Sequence, residues 1–177
     1  MFDQQIDDRP VIVCLHGSAS DAGMWQELRE AVRGRADVVA PDLFAGKDVM
    51  QQIEDIRVPF HLVGHGYGGA IAAHIAANNP ERVSSMVLYE PTAVDDLPCG
   101  RIDVPLRLVS GTRSWESARQ NAERLAACFR NSSLLRLFGM RHMAPLTHPR
   151  LINAVILDYV LPAVMPGEDG PAWGRAA

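Results

Sequence analysis

The chain has 177 residues, a formal net charge of −4 and an apolar content of 47%, values typical of one globular domain with a sufficient core. Its arginines are scattered and Lys47 is its only lysine, which excludes the basic surface of a nucleic-acid-binding protein. No apolar run approaches the ~20 residues that span a bilayer, so we expect no membrane partner.

Two features indicate the cellular compartment. Cys14, Cys99 and Cys128 form no CxxC pair, and any disulfide leaves an odd thiol, which favours a reducing environment. The N-terminus, MFDQQIDDRP, is acidic and polar rather than a signal peptide. We therefore expect a cytoplasmic protein; no feature of the sequence indicates an oligomeric state.

Strand-like apolar runs alternate with helical patterns along the chain. We predict strands over 11–15, 38–40, 60–63, 83–89, 106–109 and 134–138, and helices over 22–33, 47–56, 67–78, 114–130 and 149–161. This alternation predicts an α/β three-layer sandwich, a mostly parallel sheet of about six strands with helices on both faces. One domain over 1–162 and a loose tail over 163–177 are expected.

A glycine-rich turn, GHGYGG over 64–69, joins a predicted strand to a predicted helix. Gly64, Gly66 and Gly68 keep the spacing of the G-x-S-x-G nucleophile elbow, in which the central residue is held in a strained conformation. Glycine adopts that conformation without steric strain. Because Gly66 has no hydroxyl group, it cannot form an acyl-enzyme.

The same turn also fits a dinucleotide-binding fingerprint. Gly64, Gly66 and Gly69 match G-x-G-x-x-G, and Glu90 stands at the end of the next strand, where a ribose-binding acid is expected. However, two predicted strands precede the motif, whereas the fingerprint usually follows the first. This interpretation remains an alternative.

Motifs flanking the turn favour the elbow. LHGSASDAGMW, VVAPDL, LVGHGYGGAIAAHIAANNPERV, LVSGTRS and GMRHMAPLTHP follow one another along the chain. In this order and at these separations they resemble the α/β-hydrolase family, in particular its small esterase- and peroxidase-like members. The resemblance extends from about Val11 to Val160.

The resemblance implies roles for individual residues. Backbone N–H groups of Ser18 and Tyr67 correspond to the oxyanion-hole donors, and His142 corresponds to the general base. His16 and Gly17 begin the first of these loops, and we expect His65 to border the pocket. No cofactor is expected, and no spacing of histidines and carboxylates predicts a metal site.

The acidic member of the triad is open. The family commonly places an aspartate shortly after the penultimate strand, but Ser114 stands there. Some members take the acid from the end of the preceding strand, where Glu90 is our first choice. Asp95 and Asp96 remain alternatives, and a capping role for Glu90 is equally compatible with the sequence.

The chain departs from the family pattern at its nucleophile and in its length. The inserted cap between the strands at 83–89 and 106–109 is missing, so we expect a shallow, open pocket for a small-molecule substrate or ligand. An ester-type acyl hydrolase scaffold with weak or lost activity is the first hypothesis. The second is a non-catalytic small-molecule-binding or interaction protein on the same fold, and the third is dinucleotide binding.

Overall fold

A six-stranded, entirely parallel sheet forms the centre of the molecule, with strand order β2-β1-β3-β4-β5-β6. The computed structural model describes residues 9–92 and 102–161, so the predicted tail lies outside the described residues. The strands are β1 Val11–Leu15, β2 Asp37–Val39, β3 Phe60–His65, β4 Val83–Tyr89, β5 Leu106–Gly111 and β6 Ser132–Leu137. The predicted α/β fold class is confirmed.

Helices cover both faces of the sheet and enclose two cores. The helices are α1 Gln26–Ala31, α2 Val49–Gln52, α3 Tyr67–Asn78, α4 Glu116–Cys128, α5 Ala144–Thr147 and α6 Pro149–Val160. One core contains residues of α2, α3 and α4, and the other contains residues of α1, α5 and α6. Successive residues of β1 alternate between the two cores, which explains why its sequence is apolar throughout.

Helix α2 is shorter than the predicted helix over 47–56. It ends at Gln52, and the guanidinium of Arg82 donates hydrogen bonds to the carbonyl groups of Ile53 and Ile56. Those carbonyl groups lie beyond the helix end. They accept hydrogen bonds from Arg82, which is distant in sequence, where a longer helix would supply backbone N–H groups. This stop depends on a residue far along the chain, so local periodicity did not reveal it.

The cysteines have different states. Cys14 is buried and free, and burial raises the pKa of its thiol. Cys128 is disulfide-bonded. Because disulfides persist mainly in oxidising compartments, this bond gives no support to the reducing compartment that we expected from the odd number of thiols. The reducing compartment stays a prediction.

The strand order creates a crevice at the carboxyl edge of the sheet. After β1 the chain moves outward to β2 and then returns to the opposite side of β1 as β3. The loops that leave β1 and β3 therefore diverge at a topological switch point, where open α/β sheets bind their ligands. Gly17 and Gly66 follow these two strands.

Candidate active site

Gly66 forms the turn between β3 and α3. Its φ of 54° and ψ of −118° lie in a region that residues with a side chain rarely adopt. The Gly66 N–H donates to the Tyr89 carbonyl at 3.0 Å, and the Gly66 carbonyl accepts from the Gly69 N–H at 3.0 Å. The turn is therefore held between the neighbouring strand and the first turn of the helix.

The other glycines of this motif permit close packing. A Cβ on residue 68 would lie 2.4 Å from the Leu15 carbonyl oxygen, and one on residue 64 would lie 2.6 Å from the Gly69 Cα. Neither contact is possible for real atoms, so both positions require glycine. These glycines let α3 lie directly against β1 and β3 and fix the position of Gly66 over the crevice.

His142 faces the position where a residue 66 side chain would start. An ideal Cβ on Gly66 would be 3.4 Å from His142 Nε2 and 3.9 Å from the Gly17 Cα. A hydroxyl one bond beyond that Cβ would be within hydrogen-bonding reach of the imidazole. The loop after β6 thus places a potential base directly opposite the elbow.

Glu90 completes the arrangement behind His142. The Nδ1–H of His142 donates to Glu90 Oε2 at 2.9 Å, and the Gly111 N–H donates to Glu90 Oε1 at 2.7 Å. In the neutral imidazole, a proton on Nδ1 bonded to the carboxylate leaves Nε2, the nitrogen that faces Gly66, as the acceptor. Asp95 and Asp96, the alternative acids, lie outside the described residues.

The environment of Glu90 favours its charged form. Full burial raises the pKa of this carboxyl, but hydrogen bonds from His142 and the Gly111 N–H, together with the nearby Ser114 hydroxyl, outweigh burial and lower the pKa below its ordinary value. Glu90 also has a φ of 44°, and it is the only non-glycine residue with a positive φ in the described ranges. This backbone turn directs the side chain back across the end of β5.

Two buried side chains fix the backbone of the loop that carries His142. The Tyr89 hydroxyl donates to the Arg141 carbonyl at 2.8 Å, and the His65 Nε2–H donates to the His142 carbonyl at 2.9 Å. The His65 ring also lies 4.7 Å from the His142 ring. Burial, and next the neighbouring His142, lower the pKa of His65 to about 4, so His65 is a neutral anchor.

Sequence reasoning missed two further residues. The exposed Trp115 ring lies 5.2 Å from the His142 ring, at an angle of 38°, and Tyr89 anchors the loop as described above. Trp115 follows Ser114, in the loop where the family pattern places its acid, and Tyr89 precedes Glu90. The only sign of either residue in the sequence was that it stands next to a candidate site residue. The contacts of Trp115 and Tyr89 with the His142 loop depend on long-range packing, which the sequence does not show.

The predicted oxyanion residues Ser18 and Tyr67 lie in the segments that follow β1 and β3. Gly17 and Ser18 follow β1 in a turn closed by a hydrogen bond from the Ser20 N–H to the Gly17 carbonyl at 3.2 Å. Ser18 is exposed. Tyr67 is the first residue of α3, where an N–H has no acceptor within the helix.

His16 holds the loop after β1 in place through two hydrogen bonds. It is fully buried; its Nδ1–H donates to the Gly17 carbonyl at 2.9 Å, and its Nε2 accepts from the Leu43 N–H at 3.1 Å. His16 therefore connects the loop after β1 to the loop after β2. A Cβ on residue 17 would meet His65 Nδ1 at 2.9 Å, which accounts for the glycine there.

Across residues 9–92 and 102–161, no three histidine, cysteine, aspartate or glutamate side chains are grouped to hold a metal ion. In the same ranges no helix has the length and apolar character needed to cross a bilayer.

The parallel sheet, the tight glycine turn after β3 and the histidine–carboxylate pair at the carboxyl edge together define a hydrolase-type scaffold. The chain belongs to the alpha/beta hydrolase family, whose model matches residues 12–175. Solved structures agree with this fold. A predicted CIB-like hydrolase from Thermoplasma acidophilum has a TM-score of 0.71 at 18% identity and covers 90% of this chain and 88% of its own.

A second solved structure and two curated relatives extend the comparison. MGS-MChE2, an alpha/beta hydrolase enzyme from a lagoon-sediment metagenome, has a TM-score of 0.74 at 15% identity, covering 86% of this chain and 90% of its own. Lipase LipV of Mycobacterium tuberculosis is 45% identical over 101 residues, 48% of this chain and 38% of that protein. Monoglyceride lipase of Mus musculus is 28% identical over 106 residues, 47% of this chain and 35% of that protein. The chain thus spans little more than a third of these two curated relatives.

Proposed function

We propose that the protein is a weak acyl-ester hydrolase in which His142 and Glu90 activate water in place of the missing serine. The observation that carries this proposal is the 3.4 Å between His142 Nε2 and the Cβ position of Gly66, with Glu90 bonded to the opposite ring nitrogen. The lipases among the curated relatives support an ester substrate.

The proposed reaction has one general-base step. His142 Nε2 removes a proton from a water molecule as its oxygen attacks the ester carbonyl, and Glu90 stabilises the resulting imidazolium. The tetrahedral intermediate then breaks its bond to the alkoxy or aryloxy group, which leaves with the proton from His142, so that an acid and an alcohol are released. The N–H groups of Ser18 and Tyr67 are proposed to hold the developing oxyanion. Losing a triad member lowers the rate of serine hydrolases by about 10⁴- to 10⁶-fold, so we expect slow turnover of activated esters.

An open site with little selectivity is part of the same proposal. Only residues 90–105 connect β4 to β5, where an inserted cap would stand. The exposed Trp115 beside His142 provides an apolar surface for a small substrate.

The test compares hydrolysis of p-nitrophenyl acetate by the unaltered chain and three variants. We expect His142→Ala and Glu90→Gln each to reduce the protein-dependent rate at least 10-fold. His148→Gln is the matched control, because His148 is exposed at the start of α6 and any surface imidazole hydrolyses this ester slowly. Equal rates in all four proteins would refute the proposal.

A non-catalytic binding protein remains the second candidate, favoured by the absence of a hydroxyl at residue 66. It predicts saturable ligand binding without turnover.

Dinucleotide binding is not supported by the surroundings of Glu90: its carboxylate is fully buried and bonded to His142 and Gly111, which leaves it unavailable to a ribose. Binding of NAD(H) to the protein below millimolar concentration would support dinucleotide binding after all.

A further inference from the structure

A groove of about 690 Å³ lies between α1 and α6, the two helices that cover the same face of the sheet. Its polar lining comes from both helices: Glu27 and Glu30 belong to α1, and Arg150 and Asn153 belong to α6. A groove of this volume is large enough for a small-molecule ligand. None of its lining residues belongs to the candidate active site.

Asn153 is a buried polar residue at this groove. Only 8% of its surface is exposed, yet its side-chain amide has no hydrogen-bond partner among residues 9–92 and 102–161. Buried amide groups are nearly always hydrogen-bonded, because an unpartnered amide loses its bonds to water and gains none in return. The adjacent buried positions of α6, Ile152 and Ile156, are apolar and pack in the core. An unpartnered amide at a groove therefore indicates a ligand as its missing partner.

Charged side chains of opposite sign line the two walls of the groove without pairing. Arg150 stands on one wall and Glu27 and Glu30 on the other, and in the described part of the chain no ion pair joins them. Glu30 accepts a hydrogen bond from the uncharged Gln26 of its own helix at 2.9 Å. Two negative charges and one positive charge are therefore available to a ligand that bridges the walls.

We propose that this groove binds a basic α-amino acid, a small molecule with two cationic groups and one carboxylate, as in lysine. The ligand carboxylate pairs with Arg150, whose guanidinium offers two parallel N–H donors. The α-ammonium group and the side-chain cation pair with Glu27 and Glu30. The Asn153 amide has both donors and an acceptor, so it can bond to the carboxylate or to the α-ammonium group.

The match of charges predicts which small molecules bind. Norleucine has the chain length of lysine but lacks the second cation, and cadaverine keeps both cations but lacks the carboxylate. Each loses one charge-assisted interaction, so each should bind about 10-fold more weakly than lysine or worse. Arginine and ornithine carry all three charged groups and should bind. Glutamate has a second carboxylate where a cation is needed and should not.

Isothermal titration calorimetry of the unaltered protein with L-lysine, norleucine and cadaverine tests this proposal. We expect saturable binding of lysine with a Kd of about 1 mM or lower. The affinity should fall as salt is added, because ion pairs in an open groove are screened. Absence of binding at about 10 mM lysine, or equal affinities for lysine and norleucine, would overturn the proposal.

Variants of the two walls locate the site. Glu30→Gln and Arg150→Gln should each weaken lysine binding by about 10-fold or more. Glu54→Gln and Arg130→Gln remove exposed charges outside the groove and serve as matched controls that should bind lysine normally. Melting curves confirm that each variant folds. Unchanged affinity in both wall variants would overturn the assignment.

Asn153→Leu separates binding from stability. Leucine has nearly the shape of asparagine and removes the unpartnered amide, so the melting temperature should not fall, while lysine binding weakens. Normal lysine affinity in this variant would show that the amide does not contact the ligand and would overturn its assigned role.

This site can be tested independently of the proposed hydrolase. His142→Ala should bind lysine as the unaltered chain does, because His142 does not line the groove. Ester hydrolysis without lysine binding would reject the amino-acid site alone. Lysine binding without His142-dependent hydrolysis would support the amino-acid site and reject the hydrolase function alone.

Discussion

At the scale of residues, two adjacent turns with positive φ create the site. The β3–β4 register pairs His65 with Tyr89, so Gly66 and Glu90 are the next residues on neighbouring strands, with φ angles of 54° and 44°. For a glutamate this conformation costs about 1–3 kcal/mol. The hydrogen bonds that Glu90 makes with His142 and Gly111 offset that strain. Strained backbone conformations of this kind are typical of functional sites.

His65 predicts how stability depends on pH. Its pKa falls from 6.5 to about 4 in the folded protein, because burial and next the neighbouring His142 disfavour the charged ring. The unfolded chain binds the extra proton between these values, so His65 contributes stability that is present above pH 6.5 and lost as pH falls toward 4. The full effect is on the order of 3 kcal/mol, and the lowered pKa of Glu90 adds a loss at lower pH.

The variant His65→Gln tests this dependence. Glutamine keeps a donor that can reach the His142 carbonyl but does not titrate. We expect the free energy of unfolding, measured by urea denaturation, to vary less between pH 4 and 6.5. The variant should take up about one proton fewer on unfolding than the unaltered protein. His148→Gln, at an exposed position, should keep the original slope. An unchanged slope in His65→Gln would show that His65 titrates normally in the folded state.

At the scale of elements, glycines set the contact between α3 and the sheet. Because a Cβ on residue 68 would lie 2.4 Å from the Leu15 carbonyl oxygen, the helix and β1 touch through their backbones. Small residues follow along α3: Ala70, Ala72, Ala73 and Ala76 are all buried. This contact holds the elbow in place, so an enlarged residue here should affect both stability and the site.

Gly68→Ala should destabilise the protein although alanine favours helix. Helix propensity alone predicts a gain of about 1 kcal/mol, but overpacking against the Leu15 carbonyl group costs about 1–3 kcal/mol or more. We expect a net loss in thermal unfolding. Asn78→Ala, at the exposed end of the same helix, serves as the control and should change stability by less than about 0.5 kcal/mol. A Gly68→Ala melting temperature at or above that of the control would mean that the helix stands further from β1.

The loop that carries His142 depends on its anchors. Tyr89→Phe removes the hydroxyl that donates to the Arg141 carbonyl and leaves the rest of the side chain in place. The loss should be about 1–3 kcal/mol of unfolding free energy, with a lower rate of His142-dependent ester hydrolysis. The control is Tyr159→Phe on α6, whose ring lies under Arg107. Full activity in Tyr89→Phe would show that the loop holds its position without this bond.

At the scale of the whole molecule, the strand order determines where chemistry is possible. Gly17 and Gly66 follow the adjacent strands β1 and β3 and lie close together. Glu90 and His142 come from the ends of β4 and β6, which stand on either side of β5 at the same edge of the sheet. Residues from four separate segments therefore meet at one point, although they are spread over most of the sequence.

The sequence predicted those parts of this arrangement that are encoded locally. Strands β1 and β4 and helix α3 have the predicted bounds, because unbroken apolar runs and a glycine turn define them. Among the candidate acids, the structure places Glu90 against His142. The contacts of Trp115 and Tyr89 and the early end of α2 could not be predicted, since each depends on a partner that only the folded sheet brings near.

If residue 66 stands at the nucleophile position opposite a functional His142–Glu90 pair, a hydroxyl supplied by Gly66→Ser should create an active serine. The measurement combines hydrolysis of p-nitrophenyl acetate with covalent labelling by a fluorophosphonate, beside Gly66→Ser combined with His142→Ala. We expect a labelled serine and a rate at least 10³-fold above that of the unaltered chain, despite about 1–3 kcal/mol of backbone strain at residue 66. A folded Gly66→Ser protein with neither label nor increased rate would contradict it.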